Sequence, residues 1–547
     1  MMFDIAIRNG KVFDGTGNPW FRADVGIIGE KIVSIGKIEA GQAQREIDAK
    51  GLMVCPGFID VHSHTDLIFS LNENDQCRYL EGRIRQGITT EIIGNCGKSV
   101  GPINQGNINL LKGTYWMSPE GSKWDWLTLG DYLKALETQG VALNVGTLVG
   151  HGTIRIAVMG MSAATPDQEE IARMKRYVLD ALEEGAFGLS CGLIYPPGMY
   201  ATTHELITLA GMVAQKGRIF TSHIRGSSET LLPAVKEIIK IGEETGVSIQ
   251  HSHHEAVGKD HWWKIEETLK LEEAARGRGI SISYDVFPYV AANTSMTAIF
   301  PPWSLEGGIP KLLERLRIPE VRSRIESDIE STIPGWPPWI PGCWAHNIAE
   351  AVGWNNIHVY HVGSEKNRRF MGKSIEEVSA IVRKKPFDAV ADLMLEENGI
   401  VSCFVFGVSG DLSTDEPNKT LIKHPLGAIS TDAVDFGKGN PHPAAYGTYP
   451  RVIGRYARDE KIITIEEAVR KMTSWPAQIM GIRDRGLIRE GVYGDIVLFD
   501  FGRVKDKATY TDARQFPEGI EYVLINGKIV IEKGEYHRSL PGRVLRR

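Results

Sequence analysis

Short apolar runs alternate with amphipathic segments through the middle of the chain, and this pattern predicts alternating strands and helices. Two runs end near His64 and Cys96. The others lie at 142–150, 186–193, 218–224, 247–253, 280–287, 357–363, 399–406 and 427–432. Strand–helix alternation is typical of parallel sheets. Ten candidate strands are two more than an eight-stranded barrel needs, so we predict an α/β fold with a (β/α)8 TIM-type barrel and assign two runs within 355–410 to an insertion.

The clearest helical pattern begins at Thr165-Pro166-Asp167-Gln168, where we expect a capping box with Pro166 at the first helical position. The buried face of this helix is predicted to contain Ile171, Met174, Val178, Leu179 and Leu182. The helix is expected to end at Gly185.

The two ends of the chain show a different pattern, with short β-type runs broken by Gly and Asn. FDIAIRNGKVFDG lies near the start and IEYVLINGKIVIEKGEY near the end, where Asn526-Gly527 is a strong turn signal. We therefore predict a small β-sandwich domain built from residues 1–55 and 476–547, around a catalytic barrel at 56–475. Two stretches rich in Trp, Pro and Gly, 102–126 and 334–356, are predicted to be long loops over the barrel mouth.

Composition narrows the class of protein. The chain has 547 residues, of which 42% are hydrophobic, and a net charge of −6, which is typical of an enzyme with a large core. Lys and Arg are dispersed, so no nucleic-acid partner is expected. The sequence shows neither a signal-peptide layout nor a membrane-spanning apolar run, and we expect a cytoplasmic protein. The six cysteines are scattered and are expected to be reduced thiols.

Side chains that can bind a metal stand at or just after the ends of five apolar runs. They are His62, His64, Cys96, His223, His253 and Asp432. Any one of them alone is more often structural, but strand ends in a parallel barrel converge on one mouth. Imidazole, thiolate and carboxylate are the ligands of zinc, which activates water for attack on a carbonyl. Around His253 the segment VSIQHSHHEAVG also offers His251 and His254, and strand alternation places His251 on the same face as His253.

Many ordered motifs extend over nearly the whole chain. They include PGFIDVHSHTD (56–66), GNCG (94–97), LVGHGTIR (148–155), GAFGLSCGLIYPPGMY (185–200), SHIRG (222–226), SHHEAVG (252–258), YDVFPY (284–289) and NPHPAAYGTYPRV (440–452). In these motifs the chain resembles the amidohydrolase superfamily and, within it, the N-acyl-D-amino-acid deacylase (D-aminoacylase) family. The resemblance implies a metal-dependent barrel that hydrolyses a non-peptide amide bond in a small molecule. It also implies one or two Zn²⁺ ions.

The resemblance assigns roles to individual residues. Cys96, His223 and His253 would hold the principal ion, with His62 and His64 available for a second ion. Asp432 would be the general base, which takes a proton from the attacking water and passes it to the departing amine. The residues expected to contact the substrate are Tyr195, Arg225, Tyr289, Ser295 and His442.

One position departs from the family pattern. After the His-Pro pair of NPHPAAYG, where the deacylases typically have an Arg that holds the substrate carboxylate, this chain has Ala444. Either another cation such as Arg225 or Lys438 replaces it, or the substrate has no carboxylate there. The leading hypothesis is an N-acyl-D-amino-acid deacylase, which the coverage of the motifs favours. A hydrolase of a cyclic or carboxylate-free amide (hydantoin-, lactam- or carbamate-like) is the alternative, and a non-enzymatic scaffold is a third. The acyl chain, the stereochemistry and the oligomeric state stay open.

Overall fold

The structure, a computed structural model, describes residues 2–115, 118–340 and 343–547. Eight parallel strands form a barrel. In chain order they are Phe58–Asp60, Ile88–Ile93, Asn144–Thr147 continued by Val149–Gly150, Gly188–Gly192, Ile219–His223, Ser248–His251, Ile282–Val286 and Gly427–Ile429.

Backbone hydrogen bonds join the barrel at its two interruptions. The third strand is broken at Leu148, whose N–H donates to the carbonyl of Ile93 at 2.8 Å. Between the eighth and first strands, the N–H of Asp432 donates to the carbonyl of His62 at 3.0 Å. The predicted barrel is confirmed. The last contact also places two of the predicted site residues side by side.

Helices surround the barrel and follow its strands. They are Glu73–Ile84, Ile108–Thr114, Leu129–Gln139, His151–Met159, Gln168–Glu183, Thr203–Gln215, Leu231–Thr245, Lys264–Gly277, Glu416–Lys423, Ala444–Arg451, the π-helical Val452–Asp459, Ile465–Met472 and Ser474–Met480.

The helix Gln168–Glu183 corrects one sequence prediction. Its N-cap is Asp167, whose side chain accepts from the N–H of Glu170 at 2.8 Å while Glu170 accepts from the N–H of Asp167. The capping box is therefore two residues later than predicted, and Pro166 precedes the helix. A carboxylate at Asp167 satisfies a free N–H at the helix start, and Glu170 completes the reciprocal pair.

An insertion between the seventh and eighth strands carries a separate antiparallel sheet, Ala291–Ser295, Ile357–Val362 and Val401–Phe406. Its helices are Pro302–Leu305, Ile309–Leu316, Pro319–Ser331, Ile348–Val352, Ile375–Val382 and Pro386–Glu396. The prediction that two apolar runs within 355–410 leave the barrel is confirmed. The strand Ala291–Ser295 of this sheet was not predicted, because its sequence AANTS has little pattern of apolar residues.

Both chain ends contribute to one further sheet. Its strands are Phe3–Val12, Phe21–Ile28, Lys31–Gly36, Ala43–Asp48, Met53–Pro56, Ile496–Phe499, Ile520–Ile525, Lys528–Glu532 and Glu535–Tyr536. Met53–Pro56 pairs antiparallel with Ile496–Phe499 and so joins the two ends. Asn526 and Gly527 form the predicted turn with positive φ angles of 49° and 75°. The exact domain bounds stay a prediction.

The two predicted mouth loops are partly helical. Ile108–Thr114 lies within 102–126, and Ile348–Val352 lies within 334–356. Residues 116–117 and 341–342 of these stretches are outside the described residues. All six cysteines are free thiols. Among the helices of the described residues, none combines the length and the apolar character needed to cross a membrane.

Candidate metal centre and active site

A cavity opens at the carboxyl ends of the barrel strands. Five of the six predicted metal-binding residues line it, namely His64, Cys96, His223, His253 and Asp432. The sixth, His62, is fully buried beside them. Thr114, Tyr115, His346 and Ile348 also line the cavity, so both predicted mouth segments reach it.

Three imidazoles surround the thiol of Cys96. The Sγ atom lies 3.2 Å from Nε2 of His62, 3.7 Å from Nε2 of His253 and 3.9 Å from Nδ1 of His223. One ligand atom each of His62, Cys96 and His253 lies within 4.8 Å of the others, close enough to share one ion. This donor set of nitrogen and sulfur is the set that zinc prefers.

A second group of donors adjoins the first. Oδ1 of Asp432 lies 3.2 Å from Nε2 of His64 and 3.4 Å from Nε2 of His62. These three residues also have ligand atoms within 4.8 Å of one another. His62 belongs to both groups, so the arrangement can hold one ion or two neighbouring ions.

The backbone at three of these residues is unusual. Cys96, His253 and Asp432 have φ angles of 52°, 35° and 43°, in the left-handed region that non-glycine residues rarely adopt. Each such residue costs about 1–3 kcal/mol, and such strain concentrates at functional sites. Close packing holds the loop of Cys96, because a Cβ at Gly192 would lie 2.1 Å from the Cys96 carbonyl oxygen.

Asp285 is a central residue that the sequence analysis missed. Its carboxylate accepts from the N–H of His253 at 3.0 Å and from Oγ of Ser430 at 2.8 Å, and it lies 3.3 Å from Nδ1 of His62. It therefore orients His62 so that Nε2 faces Cys96. The available signal was an acidic residue at the end of the apolar strand ISYDV.

Neighbouring charges shift the pKa values of the cluster. Burial would raise the pKa of the Cys96 thiol, but the positive charge of His62 and hydrogen bonds from the imidazoles lower it well below its ordinary value. Burial would lower the pKa of His62, yet the charges of Asp285, Cys96 and Asp432 raise it well above its ordinary value. Burial would raise the pKa of Asp432, but His62 and His64 lower it. These shifts favour a thiolate at Cys96 and a carboxylate at Asp432 beside a protonated imidazole at His62, whereas burial lowers the pKa of His223 to about 4.

Tyr195 is the predicted substrate contact that lines this cavity. Its hydroxyl lies 2.9 Å from Oγ1 of Thr294, and its ring contacts His223 with centroids 5.2 Å apart. The Lys98 ammonium lies 4.7 Å from the centroid of the same ring. A phenol hydroxyl therefore lies at the wall of the cavity beside the imidazoles.

The histidines around His253 do not alternate as predicted. The strand ends at His251, and the positive φ of His253 turns its ring away from that of His251. His251 instead pairs with Glu272, Nδ1 to Oε1 at 2.8 Å, and its ring stacks on that of His254. The same-face prediction for His251 and His253 was wrong because extended geometry ends before His253.

The other four predicted substrate contacts are not among the residues that line this cavity. Arg225 is buried and its Nε donates to both carboxylate oxygens of Glu237, at 3.0 and 2.8 Å. Nε2 of His442 donates to the carbonyl of Ala291, and its Nδ1 accepts from the N–H of Ala444. Tyr289 packs edge-to-face on His442. Ser295 lines a neighbouring cavity that also has Tyr195 in its wall.

Ala444 itself is fully buried in an apolar cluster and is not among the residues that line the cavity. The two cations considered as its replacement are also engaged elsewhere. Arg225 is paired with Glu237, and Nζ of Lys438 donates to the carbonyl of Ser118 at 3.3 Å. The identity of residue 444 therefore does not by itself determine whether the substrate has a carboxylate.

Comparisons with known proteins agree with this geometry. A model described as the amidohydrolase family matches residues 45–332 and 360–531. An N-acyl-D-glutamate deacylase of Alcaligenes xylosoxydans xylosoxydans is 35% identical over 547 residues, which cover 100% of this chain and 96% of that protein. A D-aminoacylase of the same organism is 31% identical and covers 100% of this chain and 98% of its own.

Solved structures give the same result. The N-acyl-D-glutamate deacylase of Bordetella bronchiseptica, complexed with zinc and a phosphonate inhibitor that mimics the tetrahedral intermediate, superposes with a TM-score of 0.81 at 30% identity. Each chain is covered completely. A D-hydantoinase of a Thermus species has a TM-score of 0.54 at 14% identity, which shows a common fold alone. The resemblance inferred from the sequence is confirmed, and the chain belongs to the amidohydrolase family, within its N-acyl-D-amino-acid deacylase (D-aminoacylase) group.

Proposed function

We propose that the protein is a zinc-dependent hydrolase that cleaves the amide bond of an N-acyl-D-amino acid. The observation that carries the proposal is the Cys96 thiol among three imidazoles, next to Asp432, in the wall of one cavity. The deacylases of the same group, which cover the whole chain at 30% identity or more, support this substrate class.

The residues present fit zinc. The lowered pKa of the Cys96 thiol favours the thiolate, a soft ligand that prefers zinc to magnesium or calcium. We assign Cys96, His223 and His253 to the principal ion and His64 with Asp432 to the second, with His62 able to serve either. When bound, zinc lowers the pKa of water and polarises a carbonyl oxygen.

Asp432 is the proposed general base. It lines the cavity, and its lowered pKa keeps the carboxylate ionised and able to accept a proton from the attacking water. The same carboxyl group then returns the proton to the amine nitrogen, which leaves poorly as an anion. Tyr195, at the same wall, can donate a hydrogen bond from its hydroxyl group to the carbonyl oxygen as negative charge develops there.

The cyclic-amide alternative has the weaker support. Neither Ala444 nor the engaged cations Arg225 and Lys438 decide whether the substrate has a carboxylate. The hydantoinases share only the fold with this chain, at 14–16% identity, whereas the deacylases cover the whole chain at 30% identity or more. We therefore retain the acyclic amide as the substrate, a small molecule. A cytoplasmic location stays a prediction from the sequence.

The test is a screen of the zinc-loaded protein against N-acetyl-D-amino acids, their L-enantiomers, hydantoin and dihydrouracil. We expect release of a free amino acid from at least one D-compound and much slower release from its L-enantiomer. Ring opening of hydantoin without any amino acid release would contradict the proposal.

A further inference from the structure

A second carboxylate, which the proposed chemistry does not use, lies in the cavity wall. Glu255 follows His253 by two residues and is only 7% exposed. Its Oε2 atom is buried and has no hydrogen-bond partner among the residues that the structure describes. Its other oxygen lies 3.8 Å from Nδ1 of His253, which is beyond hydrogen-bond distance. Asp432 is the proposed general base, so the proposed mechanism needs no second carboxylate.

Apolar side chains share the cavity wall with Glu255. Val257 follows Glu255 closely in the chain, and Val408 and Ile348 add further apolar surface to the same cavity. A buried carboxyl oxygen without a donor costs free energy, and a cationic N–H group is the donor that a carboxylate binds most strongly. The wall therefore has an unmet preference for a positively charged donor.

We propose that Glu255 Oε2 accepts hydrogen bonds from a protonated amine or a guanidinium group of the substrate. The inference rests on the proposed deacylase function and narrows its substrate class. Such a group can come from either side of the scissile bond. It is either the side chain of a basic D-amino acid or the α-amine of an aminoacyl group.

Matched substrate pairs distinguish the two sources. N-acetyl-D-lysine against N-acetyl-D-norleucine tests the side chain, and glycyl-D-leucine against N-propionyl-D-leucine tests the acyl part. In each pair the two compounds have similar shape and differ mainly in the charged nitrogen. We expect the wild-type zinc enzyme to favour the cationic member of one pair by tenfold to a hundredfold in kcat/KM, the range for a hydrogen bond to a charged group.

The variant Glu255→Gln keeps the shape and removes the charge. We expect it to lower that kcat/KM ratio tenfold or more, chiefly through KM, at unchanged zinc content. Glu267→Gln, on the exposed face of the helix Lys264–Gly277, is the matched control and should keep the wild-type ratio. Equal loss on both members of a pair, together with lost zinc, would instead make Glu255 a positioning residue for His253 and overturn the proposal.

Calorimetry provides a readout that does not depend on turnover. The zinc-loaded protein is titrated with D-lysine, D-norleucine, glycinamide and propionamide. Tighter binding of the cationic member of one pair, lost in Glu255→Gln, supports the proposal even if no acyl compound is cleaved, in which case only the deacylase function fails. Equal binding of the cationic and the neutral ligand in both pairs would overturn the proposal for Glu255. Faster cleavage of the neutral substrate in both substrate pairs would also overturn it.

Discussion

Within the described residues the barrel carries two clusters that each combine imidazoles with a carboxylate, and one of the two has the geometry of a reaction centre. The first contains His62, His64 and Asp432, and the second contains His251, His254 and Glu272. In both clusters the ligand atoms lie within 4.8 Å of one another. Residue type and proximity therefore do not distinguish them.

Access and backbone geometry distinguish the two clusters. His64 and Asp432 line the cavity at the carboxyl ends of the barrel strands, and Asp432 has a positive φ. His251 instead ends a regular strand and bonds to Glu272 of the helix Lys264–Gly277, and His254 bonds to Thr268 of the same helix at 2.8 Å. The second cluster ties a helix to the barrel, whereas the first faces space that a substrate can enter.

The largest effect is expected from Cys96→Ala. Cys96 adjoins the first cluster through His62, and removal of its thiolate should abolish zinc binding and activity together. Elemental analysis and amine release measure the two. Cys191→Ala is the control, because Cys191 is a buried thiol in the fourth barrel strand that does not line the cavity, and it should keep zinc. Unchanged zinc in Cys96→Ala would remove Cys96 from the site.

Asp432→Asn should separate metal binding from chemistry. The amide cannot accept the proton, so kcat should fall by about 10² to 10⁴ while the principal zinc ion is retained. Steady-state kinetics and zinc analysis on one sample measure both. Full activity, or loss of all zinc, would show that Asp432 is not the base.

Sequence analysis located the first cluster because the carboxyl ends of parallel strands converge, whatever the details of each loop. It missed Asp285, whose role depends on contacts with His62 and His253 across the barrel. The family resemblance placed Arg225 at the substrate, which stays a prediction, and nothing in the local sequence indicates its pairing with Glu237. The roles of Asp285 and Arg225 depend on partners from distant elements, and no periodic pattern in a single sequence indicates such partners.

Tyr195→Phe tests whether cavity access determines the role of the tyrosines as well. If the Tyr195 hydroxyl stabilises the charge on the carbonyl oxygen, its removal should lower kcat by about 10² to 10³. Tyr289→Phe should have little effect on kcat, because Tyr289 packs on His442 and does not line the cavity. Equal losses in the two variants would show that the cavity described here is not the whole substrate site.

The smallest effect should come from Glu272→Gln in the second cluster, and it should appear in stability rather than in catalysis. The variant weakens the hydrogen bond from His251 to a carboxylate, which contributes about 1.5–3 kcal/mol. We therefore expect a lower denaturant midpoint with zinc content and kcat close to those of the wild type, since Glu272 is buried outside the cavity. Thr268→Val, which removes the partner of His254 on the same helix, should act in the same direction. If Glu272→Gln lost zinc or kcat at unchanged stability, the second cluster would have to be counted as part of the reaction centre, and the distinction by access would be wrong.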